Sequence, residues 1–141
     1  QVRTAIAHAA GLRVSILGHR TDVADLMAAA DVLAFPSQRE GSPGTLIEAM
    51  ATGLPIVSAD IGPCREVLGG DGMIGRLVPP NDVTQLTRAI EQALSDRADS
   101  ARRSHLGRQR FLEHYTIGAI SARMSQFFHE AAQSGPRIRA G

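Results

Sequence analysis

The sequence contains no lysine and a single cysteine, and both shortages exclude particular chemistry. All 15 basic residues are arginine, so a Walker-type phosphate loop, which needs a lysine after its glycines, is excluded, as is a Schiff-base lysine. Cys64 has no second cysteine with which to form an internal disulfide. We expect it to be an inert, small apolar side chain rather than a nucleophile. No apolar run approaches the roughly 18 residues of a membrane-spanning helix.

Aromatic residues are also scarce, at 4% of the chain. Stacking of bases on aromatic side chains is the usual basis of single-stranded nucleic-acid binding, so we expect no nucleic-acid partner. The five histidines show no spacing typical of metal ligands. The sequence is 43% hydrophobic and 21% charged over its 141 positions. These values are typical of one globular domain and exclude an intrinsically disordered chain.

The net charge of +1 conceals an uneven distribution. Residues 1–96 hold 7 arginines and 11 acidic residues, whereas residues 97–141 hold 8 arginines and 3 acidic residues. Two interpretations of the basic segment remain open: a solvated helix face, which is the more common case, and a contact with an anionic membrane surface. The arginines concerned are Arg97, Arg102, Arg103, Arg108 and Arg110.

Helical segments alternate with short apolar runs along the chain. Helical composition covers residues 2–10, ended by Gly11, and residues 23–30 and 46–51, the last ended by Gly53. Apolar runs of strand length cover residues 14–17, 32–35, 56–57 and 75–78. Beyond them, Asn81 or Asp82 caps a helix, and further helices are predicted over residues 100–113 and 117–132.

This alternation predicts the α/β class, because apolar strands separated by helices indicate a parallel sheet covered on both sides. The expected architecture is a Rossmann-like parallel sheet with flanking helices and a C-terminal helical tail. Two apolar stripes are expected in the core. The first comprises Val83, Leu86, Ile90 and Leu94, and the second Ile117, Ile120, Met124, Phe127 and Phe128.

Residues 36–50 carry the most specific pattern. A strand is followed by a polar loop and then by a helix, with Ser42 as its N-cap and Pro43 in its first position. Gly44 permits a ligand to approach the backbone closely. Free N–H groups of the first turn are expected at the carboxyl end of the sheet, where a phosphate binds; they belong to Gly44, Thr45 and Leu46.

Two carboxylates flank this anion cradle. Glu40 lies in the loop, and Glu48 lies in the second turn of the helix, where we expect its neighbours to bury it enough to need a partner. A carboxylate accepts hydrogen bonds from two hydroxyls of one ring. The arrangement therefore suits a sugar nucleotide, which presents a diphosphate, a ribose and a sugar. Two surface glutamates near a helix start would give the same local pattern, so both interpretations stay open.

From residue 18 to about residue 113, the sequence resembles the C-terminal half of the family 4 (group 1) retaining glycosyltransferases, which have the GT-B architecture. Seven residues separate the two glutamates, as in that family. The matching motifs are Asp31-Val32-Leu33-Ala34-Phe35-Pro36-Ser37, Glu40-Gly41, Glu48-Ala49-Met50-Ala51-Thr52-Gly53-Leu54-Pro55-Ile56-Val57, Gly62, Glu66, Gly75 and Leu77-Val78-Pro79-Pro80.

The resemblance implies a role for each matching site position. Glu40 is implied to be the catalytic-site glutamate that contacts donor-sugar hydroxyls near the reacting carbon, and Glu48 is implied to bind the ribose hydroxyls. Further donor contacts are implied for the loop and helix start and for the base-binding loop, namely Gly41, Ser42, Gly44, Thr45, Leu46, Gly18, His19 and Arg20. Many members have Gly-Phe-Gly after the first glutamate, whereas this chain has Gly41-Ser42-Pro43-Gly44, in which the proline has no N–H to donate.

The implied reaction moves a sugar from a nucleotide-diphosphate sugar donor to an acceptor with retention of anomeric configuration. Catalysis stabilises the departing diphosphate and an oxocarbenium-like sugar. The donor is a substrate, and neither a cofactor nor a metal is expected, since no Asp-x-Asp motif occurs. The expected location is cytoplasmic, with the basic segment as the candidate for peripheral contact at the inner face of the membrane.

The resemblance also implies part of a larger enzyme. The family's N-terminal acceptor-binding domain, and the first two strands of its C-terminal domain with their phosphate-neutralising lysine, have no counterpart here. Residues 1–133 then form a partial nucleotide-sugar-binding domain, with 82–133 as its helical tail and 134–141 as a flexible tail. The expected fold is half of a GT-B fold with a truncated sheet, in which the strand at residues 14–17 lacks its neighbouring strands. The chain alone is therefore expected to be marginally stable and inactive.

Two further functions stay open at this point. One is another GT-B enzyme, such as a sugar-nucleotide 2-epimerase, which the spacing of the two glutamates disfavours. The other is a non-catalytic nucleotide-sugar-binding module.

Overall fold

A computed structural model describes residues 13–133. The helix predicted over residues 2–10 and the tail predicted over residues 134–141 lie outside the described residues. In chain order the elements are α1 (Val23–Ala28), β1 (Leu33–Phe35), α2 (Gly44–Thr52), β2 (Ile56–Ala59), α3 (Gly62–Leu68), β3 (Arg76–Val78), α4 (Val83–Ser95), α5 (Arg97–His114) and α6 (Ile117–Gln133).

The three strands form one parallel sheet in the order β1-β2-β3. Leu33 of β1 lies opposite Ile56 of β2, and Ser58 of β2 lies opposite Leu77 of β3. Each pair of neighbouring strands is connected through a helix, since parallel strands need a crossover. The predicted α/β class, with a short parallel sheet, flanking helices and a helical tail, is confirmed.

The strand predicted over residues 14–17 is wrong. Its residues have no regular secondary structure, and the side chains of Val14, Ile16 and Leu17 are about half exposed, at 48%, 56% and 55%. A strand exists only where its backbone groups pair with a neighbour, and within residues 13–133 no strand lies beside this run. The apolar composition is present, but the pairing partner is not.

Alternation along the strands divides the core between the two faces of the sheet. On one face, Leu33, Phe35 and Ile56 pack with the buried residues of α2 and α3. On the other face, Val57 and Val78 pack against α4. The sheet is therefore covered on both sides, and its carboxyl edge is left for the connecting loops.

Helix α4 packs through a stripe that keeps Leu86 and Ile90 of the predicted one but not its two end residues. Val83 and Leu94 are exposed, at 73% and 45%, while Ala89 and Ala93 are buried. Small side chains on the contact face let the helix approach β2 and β3 closely, and Leu86 and Ile90 pack beside them. Of the two predicted caps, Asp82 is the one that accepts a hydrogen bond, from the N–H of Gln85 at 2.9 Å.

The apolar stripe predicted as core in the last helix is exposed on α6. Nothing in α6 is buried, and the stripe residues range from 43% to 86% exposed: Ile117, Ile120, Met124, Phe127 and Phe128. The helix exists as predicted, but no element of the described chain covers its apolar face.

Helix α3 is absent from the sequence predictions, although its ends carry recognisable residues. Pro63 stands in its first turn, and Gly69 ends it in the left-handed conformation with φ +93°. The helix is short, and its start follows closely on β2. Cys64 on α3 is fully buried in the core, which confirms the expectation that it is a small apolar side chain.

The arginines of α5 bind backbone carbonyls of the preceding elements. Arg110 donates to the carbonyls of Glu66 and Val67 at 2.9 and 2.8 Å, and Arg108 donates to the carbonyl of Ala51. Those carbonyls belong to the last turns of α3 and α2, where the helix dipole favours a cation. The Glu66 carbonyl also accepts the N–H of Gly69, at 3.3 Å. Two of the five arginines of the basic segment, Arg108 and Arg110, therefore bind helix ends.

None of the helices within residues 13–133 combines the length and apolar character required to cross a bilayer.

Candidate functional site

The candidate site lies in the loop that leaves β1 at the carboxyl edge of the sheet. Residues 38–41 of this loop face Ile61 and Pro63, which follow β2, across a depression of about 510 Å³. Ligands of open α/β sheets bind at this edge, because the loops of neighbouring strands converge there. Glu40 is the carboxylate that lines the depression.

Glu40 is half-buried and is held by a hydrogen bond within its own loop. The Ser37 hydroxyl donates to Glu40 Oε1, with the two oxygens 2.6 Å apart, and lies 3.2 Å from the carbonyl oxygen of Arg39. A hydroxyl has one proton to donate, so the short contact with the carboxylate is the stronger bond. One carboxylate oxygen is thereby fixed, and Oε2 is left to accept from a ligand.

The start of α2 differs from the expectation. Pro43, with ψ +77°, occupies the N-cap position, Gly44 is the first helical residue, and no side chain caps the helix. Ser42 is exposed and is not the cap. Because the ψ of Pro43 is not helical, the helix begins one residue later than predicted, and the Pro43 carbonyl accepts the N–H of Leu46 at 3.0 Å.

Two of the three N–H groups predicted to face an anion are already used by the backbone. Gly44 N–H donates to the Ser42 carbonyl at 2.9 Å, and Leu46 N–H donates to Pro43. The Leu46 side chain is fully buried in the core. Among the three, only the N–H of Thr45 makes no such backbone bond in the described part of the chain. The predicted anion site therefore has fewer free N–H donors than expected.

Glu48 lies in the second turn of α2 and is exposed. The expectation that its neighbours bury it is wrong, because the buried face of α2 is formed by Leu46, Ala49 and Met50. Its carboxylate has no ion pair with any residue between 13 and 133. It is therefore open to a ligand rather than occupied by a structural partner.

Residues 18–20 are exposed and do not line the depression around Glu40. Gly18 has φ +69°, a conformation that glycine adopts without strain. Arg20 donates two hydrogen bonds to Asp22, at 2.8 and 2.5 Å, which raise the pKa of the arginine and lower the pKa of the aspartate. Arg20 is thus paired locally, and His19 stands exposed beside it.

A pair of residues that sequence analysis did not assign to the site ties this loop to another. The Gln38 side-chain amide donates to Asn81 Oδ1, which joins the loop after β1 to the loop after β3. Asn81 has φ +64°, and it is the only non-glycine residue with a positive φ among residues 13–133. Asparagine tolerates this conformation better than most residues. Nothing in the sequence connects positions 38 and 81, because only the fold brings the two loops together.

No group of three or more histidine, cysteine, aspartate or glutamate side chains within residues 13–133 is arranged to hold a metal ion.

The arrangement of sheet, loop and helices recurs in solved structures. Sucrose-phosphate synthase from Thermosynechococcus elongatus superposes with a TM-score of 0.81 at 28% identity, covering 95% of this chain and 34% of that one. HepE from Anabaena, crystallised in complex with UDP-glucose, superposes with a TM-score of 0.81 at 25% identity, covering 92% of this chain and 35% of that one. These neighbours are GT-B enzymes.

Curated relatives show the same partial coverage. The MMP alpha-(1->4)-mannosyltransferase of Mycolicibacterium hassiacum is 36% identical over 110 residues, which are 78% of this chain and 27% of that protein. The lipopolysaccharide core biosynthesis mannosyltransferase LpsB of Rhizobium meliloti is 33% identical over 106 residues, which are 74% of this chain and 30% of that protein. The chain thus spans about a third or less of these curated relatives. Residues 1–96 match the family described as Glycosyl transferases group 1, and the chain belongs to that family.

Proposed function

We propose that this chain is the donor-binding part of a retaining glycosyltransferase that uses a nucleotide-diphosphate sugar. The observation that carries the proposal is the pair of available carboxylates that follows β1, of which Glu40 lines the depression at the carboxyl edge of the sheet. Glu40 is fixed in the loop after β1, and Glu48 is exposed on the helix that follows. The complexes of HepE with UDP-glucose and with UDP support a nucleotide sugar as the ligand class.

In the proposed reaction, the bond between the anomeric carbon and the diphosphate oxygen breaks, and a bond from that carbon to an acceptor oxygen forms. The acceptor's proton leaves with the diphosphate. Glu40 would hold donor-sugar hydroxyls through its free oxygen, and Glu48 would bind the ribose hydroxyls through both of its oxygens. Neither glutamate is asked to form a covalent intermediate. The acceptor site belongs to a part of the enzyme outside this chain, and no metal is included in the proposal.

The test uses the complete gene product and compares Glu40→Gln, Glu48→Gln and the control Glu66→Gln, an exposed glutamate on α3. We expect Glu48→Gln to lower the affinity for UDP or GDP about tenfold in calorimetry, since it weakens charge-assisted hydrogen bonds. Glu40→Gln is expected to lower kcat about a hundredfold while nucleotide affinity is kept. The anomeric configuration of the product, assigned by NMR, tests retention, and added chelator tests independence from metal.

Three outcomes would contradict the proposal. If both variants keep the wild-type affinity and kcat, the site assignment is wrong. If the donor is epimerised without an acceptor, the protein is a different GT-B enzyme. If the nucleotide sugar binds and no transfer or epimerisation occurs with any acceptor class offered, the protein is a binding module.

A further inference from the structure

A polar groove of about 560 Å³ runs along the outer strand β3, apart from the candidate donor site. Its walls are β3, helix α4 and the side chain of Arg103 from α5, with Arg76 and Arg88 as its other arginines. It shares no lining residue with the depression around Glu40, and β2 separates β3 from β1. A ligand in this groove would therefore not occupy the proposed donor site.

The groove carries more positive charge than its neighbours neutralise. Three guanidinium groups converge on the single carboxylate of Asp99: Arg76 and Arg103 reach Oδ2 at 2.8 and 2.6 Å, and Arg102 reaches Oδ1 at 2.6 Å. Arg88 has no ion pair within residues 13–133. No acidic side chain lines the groove. Asp96 and Asp82 also act at longer range on Arg76 and Arg88. The four arginines therefore face three carboxylates, and one positive charge is left unbalanced.

The fold maintains this excess at some energetic cost. The Arg76 side chain is only 9% exposed. Burial, followed by repulsion from Arg103, lowers the pKa of Arg76. Like charges held together in a partly buried place favour a bound anion, which offsets both the repulsion and the desolvation.

The donors that remain available suit an oxyanion. Arg103 uses Nε for Asp99 and Nη1 for the carbonyl of Gly72, which leaves Nη2. The side chains of Arg88 and Gln92 are exposed, line the groove and make no side-chain hydrogen bond to another described residue. Guanidinium groups match the geometry and charge of phosphate oxygens.

We propose that this groove is a binding site for a phosphate monoester, with Arg88, Gln92 and the free edge of Arg103 as donors and Arg76 as a source of positive charge. A monoester dianion would bring its negative charge to a groove that is lined by three arginines and by no acidic side chain. The phosphate belongs either to a small molecule in solution or to a lipid headgroup, since both present the same group. The proposal does not depend on the donor site or on glycosyl transfer.

The test measures inorganic phosphate binding by ³¹P NMR titration of the complete gene product. Arg88→Gln is the test variant, Gln92→Glu places a negative charge in the groove, and Arg97→Gln is the control, an exposed arginine that removes the same charge elsewhere. We expect both groove variants to raise the Kd for phosphate about tenfold or more, as for the loss of one charge-assisted bond, and the control to leave it unchanged. Vesicles of phosphatidylcholine with phosphatidic acid, tested by sedimentation, distinguish the lipid source from the soluble one.

The proposal is supported if either probe binds the wild-type protein, if Arg88→Gln removes that binding, and if Arg97→Gln preserves it. Binding that all three variants reduce alike reflects net charge only and overturns the proposal. Absence of binding to both probes overturns it as well. UDP or GDP affinity, measured on the same variants, is expected to stay at the wild-type value, so failure of the groove and failure of the donor site are distinguishable.

Discussion

Ser37 and Glu40 are joined by a hydrogen bond of 2.6 Å between the serine hydroxyl and Glu40 Oε1. The bond spans three residues of a loop that has no regular secondary structure. It fixes the rotamer of the carboxylate that the proposed function places beside the donor sugar. Under the proposed function, Ser37 touches no donor and acts through Glu40, which makes it a positioning residue.

We expect Ser37→Ala to lower kcat about tenfold, because a misplaced catalytic-site group costs transition-state stabilisation. The affinity for UDP or GDP is expected to stay unchanged, since the proposed ribose contact belongs to Glu48. Steady-state kinetics and calorimetry on the complete gene product check both quantities. Ser37→Thr, which keeps the hydroxyl, is expected to restore most of the rate.

Ser121→Ala is the matched control, since Ser121 is an exposed serine on α6, outside the candidate site. If Ser37→Ala and Ser121→Ala have equal kinetics, the hydrogen bond to Glu40 has no positioning role.

The contacts of Arg110 give a prediction about stability. Arg110 donates from Nε to the Val67 carbonyl and from Nη2 to the Glu66 carbonyl, at the C-terminal end of α3. Arg110→Met keeps the aliphatic stem but removes both bonds, and we expect a loss of about 2 kcal/mol in the free energy of unfolding. Urea denaturation measures it. Arg97→Met, which removes an exposed arginine from the same helix, is expected to change stability by less than about 0.5 kcal/mol.

Equal effects of Arg110→Met and Arg97→Met would mean that the basic segment contributes only net charge. In that case the carbonyl contacts of α5 would have no structural importance.

Gly53 ends α2 with φ +72°, and a Cβ added there would meet no atom within 4 Å. The cost of Gly53→Ala is therefore conformational alone, and we expect it to destabilise the fold by about 1 kcal/mol. Gly118 lies inside α6, where an added Cβ also meets nothing within 4 Å. Gly118→Ala is expected to stabilise by up to about 1 kcal/mol. Thermal or urea unfolding that shows the same sign for both substitutions would contradict this explanation.

Composition and periodicity predict a helix or a strand correctly where a single pattern of neighbouring residues determines it. Gly53 as the end of α2, Asp82 as a cap, and the three short strands each follow from neighbouring residues. Residues 14–17 show the limit of such patterns, because apolar composition predicts a strand only if a neighbouring strand is available to pair with it. The apolar face of α6 shows the same limit for a helix.

The candidate site shows a different limit. The spacing of Glu40 and Glu48 is a local pattern, so the sequence alone is enough to name both residues as candidates. The exposure of Glu48, the use of two α2 amides by the backbone, and the bond between Gln38 and Asn81 depend on the side chains and loops that the fold places nearby. The same holds for the arginines of α5, whose carbonyl partners lie far away in the sequence.

Asp99 provides a prediction about acid stability. Its hydrogen bonds with Arg103 and Arg102 lower the pKa of the carboxyl group from 3.8 to about 2. In the unfolded chain the group takes up its proton near 3.8, so between those two values the unfolded state binds more protons than the folded state does. The free energy of unfolding therefore falls as the pH is lowered through this window, and the contribution of Asp99 is fully present above it.

We expect Asp99→Asn to be less stable than the wild-type protein at pH 7 and to lose less stability between about pH 4 and pH 2. Urea denaturation at a series of pH values gives both quantities. Asp25→Asn is the matched control, since Asp25 is an exposed aspartate on α1 with no ion pair among residues 13–133, and its pH profile is expected to follow that of the wild type. If Asp99→Asn keeps the wild-type slope in acid, the three arginines do not hold Asp99 ionised, and the charge excess around it is smaller than the structure indicates.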